Sequence, residues 1–97
     1  MPTYISLINF TDQGIRSFKD SPKRAKAFTE LVEQMGGKVK SLHWTLGTYD
    51  LVTVVEAPDD ATYTAASLKV AALGNVRTTT LKAFNEKEIT QIINKVG

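Results

Sequence analysis

Apolar residues along this chain recur either at every second position or at every third to fourth, and these two periods predict an order of strands and helices. Thr3–Phe10 alternates, with Tyr4, Ile8 and Phe10 on one face and Ile5 and Leu7 on the other. Large apolar groups on both faces predict a strand that is covered on both sides. Thr11-Asp12-Gln13-Gly14 is turn chemistry, and Thr11 or Asp12 is placed to cap a short helical turn through Phe18. Ser21-Pro22 starts a longer helix, whose face Ala25, Phe28, Leu31, Val32 and Met35 runs until Gly36-Gly37 stops it.

Two further alternating runs, residues 38–46 and 49–57, flank Gly47-Thr48 and predict a hairpin closed by a tight glycine turn. That register puts Leu42, Trp44, Leu51 and Val55 on one face, and Ser41, His43, Thr45, Asp50, Val52 and Glu56 on the other. Pro58-Asp59-Asp60 ends the strand and caps a helix with the small-residue stripe Ala61, Ala65, Leu68 and Ala72, which stops at Gly74. Residues 75–84 alternate again, Val76, Thr78 and Thr80 against Arg77, Thr79 and Leu81. Asn85 with Glu88 three residues later starts a last helix bearing Ile89, Ile92, Ile93 and Val96.

The predicted order β-α-β-β-α-β-α gives an α+β, ferredoxin-like βαββαβ sheet with a C-terminal helix, as one domain over residues 1–97. Both main helices then lie on one sheet face. The other face would be bare, yet the first strand supplies large apolar groups to both; the sheet of a second copy is the simplest cover, so self-association as a homodimer or higher oligomer is expected.

Composition narrows the chemistry. With 42% apolar and 23% charged residues the chain is an ordinary globular sequence, and zero cysteines exclude disulfides, thiolate metal sites and thiol nucleophiles. The net charge of +2 makes only a shallow case for polyanions. The one basic cluster, Arg16, Lys19, Lys23, Arg24 and Lys26, has its neighbouring aromatics Phe18 and Phe28 at core positions, so no nucleic-acid partner is expected. No apolar run reaches membrane-spanning length and no leader pattern opens the chain, which predicts a cytoplasmic protein without a membrane partner.

His43 is the only histidine. Across the hairpin it lies diagonal to Asp50, an arrangement able to orient an imidazole as a general base, whereas the plainer reading is a hydrogen-bonded strand histidine beside Trp44. Tyr49 and Asp50 follow the glycine turn, so a phenol and a carboxylate either point into a cavity or serve the turn itself, Asp50 by bonding backbone amides. Thr45, Tyr49, Asp50 and Arg77 are the candidate ligand contacts, and His43, Tyr49 and Asp50 the candidate catalytic groups. Asp59-Asp60 reads as a cap at a helix N-terminus before it reads as a cation site. No metal site, cofactor or nucleotide fingerprint is expected.

Trp44-Thr45-Leu46-Gly47-Thr48-Tyr49-Asp50, Glu56-Ala57-Pro58-Asp59-Asp60 and Gly74-Asn75-Val76-Arg77-Thr78, with Thr11-Asp12-Gln13-Gly14 in the first loop, resemble the GYD domain family of small bacterial and archaeal proteins. The motif reads Gly-x-Tyr-Asp, and Gly47, Tyr49, Asp50, Gly74 and Asn75 carry it. The resemblance implies a ferredoxin-like chain of the dimeric α/β-barrel superfamily and brings no established reaction. The hairpin and the Gly74–Thr80 stretch also resemble the effector-binding domains of Lrp/AsnC-type regulators, which assemble through sheets and bind small metabolites, but no helix-turn-helix precedes the domain here. Monooxygenases of the same superfamily supply the enzyme alternative. The expected function is therefore a homo-oligomeric small-molecule-binding or assembly module, against a cofactor-independent oxygenase or isomerase using a pocket near the hairpin.

Overall fold

The computed structural model describes residues 1–97. Its elements are β1 Thr3–Phe10, α1 Asp12–Arg16, a 3-10 turn Phe18–Asp20, α2 Ser21–Gln34, β2 Lys38–Trp44, β3 Leu51–Glu56, α3 Asp60–Ala71, β4 Val76–Ala83 and α4 Glu86–Val96. The strands form one sheet in the order β2-β3-β1-β4, every neighbouring pair antiparallel. This is the expected ferredoxin-like arrangement.

Strand alternation divides the sheet into two unlike faces. Tyr4, Ser6, Ile8 and Phe10 of β1 share a face with Leu51, Thr53 and Val55, as the pairings Tyr4↔Val55, Ser6↔Thr53 and Ile8↔Leu51 require. α2 and α3 cover this inner face. Val32 of α2 and Tyr63 of α3 join Tyr4, Val55 and Ala57 in the buried core, with Phe28 and Val39 packed against them. Tyr63 stacks on Tyr4 with ring centroids 4.5 Å apart and planes 4° from parallel. The core therefore sits at one end of the sheet. The outer face carries Ile5 and Leu7 beside Val52, Val54 and Leu81, all half-buried or exposed, because no helix lies over them.

Four local expectations need correction. Phe18, expected at a core position, is 56% exposed on the 3-10 turn. The hairpin is not closed by a two-residue turn: β2 ends at Trp44 and β3 starts at Leu51, so residues 45–50 form a longer loop. The loop is closed by Thr45 N–H donating to the Asp50 carbonyl at 2.8 Å, and the register shifts at a bulge between Val39 and Ser41. The buried face of α3 is not Ala61, Ala65, Leu68 and Ala72. Tyr63 and Ala66 are its buried residues and Leu68 is 66% exposed, because the large tyrosine ring anchors the helix on Tyr4 and sets its rotation. β2 and β3 keep the predicted faces but not the diagonal, since His43 pairs with Val52 and Asp50 lies before the strand begins.

The last helix forms as read, with Asn85 and Glu88 completing a capping box. Asn85 Oδ1 accepts the Glu88 N–H at 2.8 Å and Glu88 Oε1 accepts the Asn85 N–H at 3.0 Å. Its apolar stripe is not packed within the chain: Ile93 is 59% and Val96 83% exposed. An outline of 51 × 30 × 19 Å fits a helix that stands away from the sheet. No helix is long and apolar enough to cross a membrane.

Candidate functional site

The family-type motifs meet at one end of β1. Asp50 Oδ2 accepts the Phe10 N–H at 2.8 Å, while Asp50 N–H donates to the Ile8 carbonyl at 2.8 Å. The carboxylate thus continues the ladder past the point where β3 stops, bonding strand backbone. Thr45 Oγ1 donates to the Tyr49 carbonyl at 2.5 Å, which holds the loop in shape. Gly47 has φ +130, a conformation that disfavours any side chain.

A second clasp lies beside the first. Thr11 Oγ1 donates to the Gly74 carbonyl at 2.5 Å and accepts the Gly14 N–H at 3.1 Å, capping α1. Gln13 Nε2 reaches the Leu73 carbonyl and Asn75 Oδ1, each at 3.0 Å. Gly14 passes so close to the chain at Asn75 that a Cβ would fall 1.9 Å from the Asn75 carbonyl oxygen. Close approach of backbones explains the glycine. These contacts fix the end of β1 against the start of β4.

The pinned end frames a cleft. Between α2, α3 and the inner sheet face lies a cavity of about 350 Å³, lined mainly by apolar side chains such as Ile8, Phe10, Phe28, Leu51, Val70 and Val76. The core closes the sheet at Tyr4 and Val55, and the cavity begins beyond them. At the boundary the two central strands place hydroxyls opposite each other, Ser6 on β1 and Thr53 on β3, each 1% exposed. Ser6 Oγ bonds Tyr63 OH at 2.5 Å and Thr80 Oγ1 at 3.0 Å. Thr53 Oγ1 has no partner. A buried hydroxyl without a partner is costly, and native interiors hold few of them.

Arg24 of α2 also lines the cleft. Its guanidinium donates to the Ser17 carbonyl and hydroxyl at 3.2 and 3.0 Å and to the Gly14 carbonyl at 3.2 Å, and lies 6.0 Å from the centroid of Phe10. All these acceptors are neutral. The two ion pairs of the chain, Lys40–Glu56 and Lys82–Asp60, lie elsewhere.

On the flank of α3, Tyr4 OH donates to Asp60 Oδ1 at 2.5 Å, and Lys82 Nζ lies 3.0 Å from the same oxygen. Burial, and then the bond to Asp60, pushes the Tyr4 phenol up to about 12. The Tyr4 hydroxyl, and then Lys82, hold the Asp60 carboxyl below its ordinary range. Asp59 is the cap expected of it, accepting the Thr62 N–H at 2.7 Å, and its bonds to Thr62 likewise lower its carboxyl.

The structure brings Thr45, Tyr49 and Asp50 together in the loop but not His43 or Arg77 with them. His43 and Arg77 both lie on the outer face by register, opposite Val52 and Asn9, and neither is bonded to Asp50. Sequence reasoning missed Ser6, Thr53 and Tyr63. Two of the three carried a signal: Ser6 and Thr53 are each the one small polar residue at the middle of an otherwise apolar inner-face series, Tyr4-Ser6-Ile8-Phe10 and Leu51-Thr53-Val55.

A four-stranded antiparallel sheet with two helices on one face, in this order, is the ferredoxin-like class, and the clasped motifs give it a particular signature. The GYD domain family model matches residues 4–93, and the chain belongs to that family. Among characterised proteins it is similar to the "glutamine synthetase and cystathionine beta-lyase binding protein" of Thermus thermophilus, 43% identical over 85 residues that span 87% of this chain and 90% of that one. Of solved structures it resembles TTHA0845, also from Thermus thermophilus, with a TM-score of 0.56, 26% identity and coverage of 88% of this chain and 95% of that one. The fold also matches an AsnC family transcriptional regulator from Agrobacterium tumefaciens, with a TM-score of 0.57 and 22% identity, over 88% of this chain but 51% of the regulator.

Proposed function

We propose that this chain is a homo-oligomeric binding module: two copies pair through their outer sheet faces, and the assembly binds a small molecule or partner proteins. The carrying observation is the outer face itself, where Ile5, Leu7, Val52, Val54 and Leu81 form an aliphatic surface under no helix. These side chains are already half-covered by their neighbours, so burying them contributes roughly 1 kcal/mol apiece, about 10 kcal/mol over two copies. That is the scale of the about 4–15 kcal/mol lost in translational and rotational freedom on association. The exposed isoleucines of α4 add further apolar surface to such an assembly. The relative's description as a binding protein for two enzymes supports protein partners as a class.

The alternative, an oxygenase or isomerase at the hairpin, needs His43, Tyr49 and Asp50 to converge on one reacting atom. Asp50 instead holds Phe10, and His43 faces the opposite side of the sheet from the cleft. Light scattering at micromolar concentration tests the proposal. A mass at least twice the 10.7 kDa of one chain is expected, and a monomer throughout would defeat it.

A further inference from the structure

The cleft is apolar through its middle and carries polar side chains around it, Glu30, Gln34 and Lys69 among them; two of its polar groups, Thr53 and Arg24, stand out by their hydrogen bonding. At the inner end is Thr53, a residue of the cavity wall whose Oγ1 is buried and unpartnered, beside a serine whose hydroxyl is already engaged. At the outer end is Arg24, a cation held in place by neutral acceptors and paired with no carboxylate. Ile8, Phe10, Phe28, Leu51 and Val70 make up an apolar wall suited to a hydrocarbon body. Arg24 lies over Phe10 and Thr53 lies opposite Ser6, four residues back along β1. At ~3.3 Å per residue, the two features are roughly 13 Å apart along the strand.

We propose that the cleft binds an elongated amphipathic monocarboxylate, its carboxylate on Arg24, its hydrocarbon body in the cavity, and a distal hydroxyl or carbonyl on Thr53. This assigns a ligand class to the binding-module reading above and rests on it. The chemistry is complementary at each point. A guanidinium with free N–H groups recognises a carboxylate, and the bond strengthens in a partly desolvated cleft. A volume of about 350 Å³ is at the small end of ligand pockets, which run from roughly 300 to 1,000 Å³ and combine apolar walls with a few placed polar groups. The distal polar group would supply the partner that Thr53 lacks, so a ligand carrying it gains over one that leaves the hydroxyl unpaired.

Titration calorimetry with ω-hydroxydecanoate, decanoate and the corresponding ten-carbon diol separates the two ends. The hydroxy acid should bind saturably at one per chain, and the diol about tenfold or more weaker. Thr53→Val keeps the shape and removes the hydroxyl; it should abolish the advantage of the hydroxy acid over decanoate and leave decanoate binding unchanged. Arg24→Gln should reduce both acids to the affinity of the diol. Because Arg24 also ties α2 to Ser17 and Gly14, the Thr53→Val arm and the wild-type ligand series decide the matter if Arg24→Gln does not fold. Equal affinity for acid and diol, no saturable binding of the hydroxy acid at millimolar concentration, or an unchanged hydroxyl advantage in Thr53→Val would overturn the proposal. Light scattering on the same samples keeps the two ideas apart: an intact oligomer that binds no acid defeats the ligand and spares the assembly, and a monomer that binds it does the reverse.

Discussion

Each face of the sheet carries, at its centre, groups that the other face would suit better. The face under the helices carries hydroxyls at its centre, Ser6 opposite Thr53, whereas the face under no helix carries aliphatics, Ile5 and Leu7 beside Val52 and Val54. A monomer optimised only for its own stability would place them the other way round. The polar centre of the covered face interrupts the core and leaves a cleft. The aliphatic surface of the open face supplies an adhesive patch. Each departure costs the isolated chain stability, a cost that the proposed ligand on one face and the proposed second copy on the other would offset.

The largest expected effect breaks the open face. Leu7 stands at its centre between Val52 and Thr79. Leu7→Glu would place a charge in the buried middle of the proposed interface and should weaken association by about 2 kcal/mol or more, turning the oligomer into monomer at micromolar concentration. The fold should survive, since the residue touches no helix-side core. Sedimentation velocity with circular dichroism checks both halves. A folded Leu7→Glu oligomer indistinguishable from the parent would show that the aliphatic face is not the contact.

Next comes the frame between the two faces. Asp50→Ala removes the acceptor of the Phe10 N–H and should cost about 1–3 kcal/mol in denaturant unfolding. Asp50→Asn keeps an acceptor oxygen and should lose less. An unchanged midpoint for the alanine variant, with the oligomer intact, would mean that the carboxylate serves something other than the strand end.

This residue also shows what could be read in the sequence. Attachment to backbone amides is one of the two readings the sequence leaves open for Asp50, but it expects the turn's own amides, and the amide bonded is that of Phe10. Phe10 lies 40 residues away, and only the β1–β3 register brings it close. Ser6 and Thr53 meet the same limit: each stands out as the one small polar residue of an apolar series, but only the register sets them face to face. Local signals fared better. The glycine stops, the Asn85–Glu88 box and the strand faces were all written in neighbouring residues. The rotation of α3 is not set by its small residues, whose stripe suggests close packing, but by one large ring, Tyr63.

A smaller effect, opposite in sign, sharpens the reading of the covered face. Thr53→Val replaces an unpaired buried hydroxyl by a methyl of similar volume, and should stabilise the ligand-free protein by about 1 kcal/mol, a rise in Tm of roughly 4–8 °C. A fall in Tm would mean that Thr53 has a hydrogen bond in the native state, and the cleft would lose its unsatisfied group.

The smallest effect is silent at neutral pH and concerns the polar edge of the covered face. The Tyr4 phenol is raised from 10.0 to about 12 by burial and by its bond to Asp60. Since the folded state holds this proton more tightly than the unfolded chain does, its contribution to stability is complete below about pH 10. It is lost as pH rises through the folded value near 12. Asp60 works in the opposite direction: its folded value is depressed, so its contribution is present above about pH 4 and is lost as pH falls further. The contact is therefore intact across the middle of the pH range and opens at both ends. Absorbance at 295 nm should show one of the three tyrosines ionising late, and Tyr4→Phe should remove that phase. The same variant should lose the part of the alkaline decline in stability that Tyr4 causes, while its Asp60, deprived of the phenol, should titrate closer to an ordinary carboxyl. A late phase that persists in Tyr4→Phe would assign it to another phenol and detach Asp60 from the covered face.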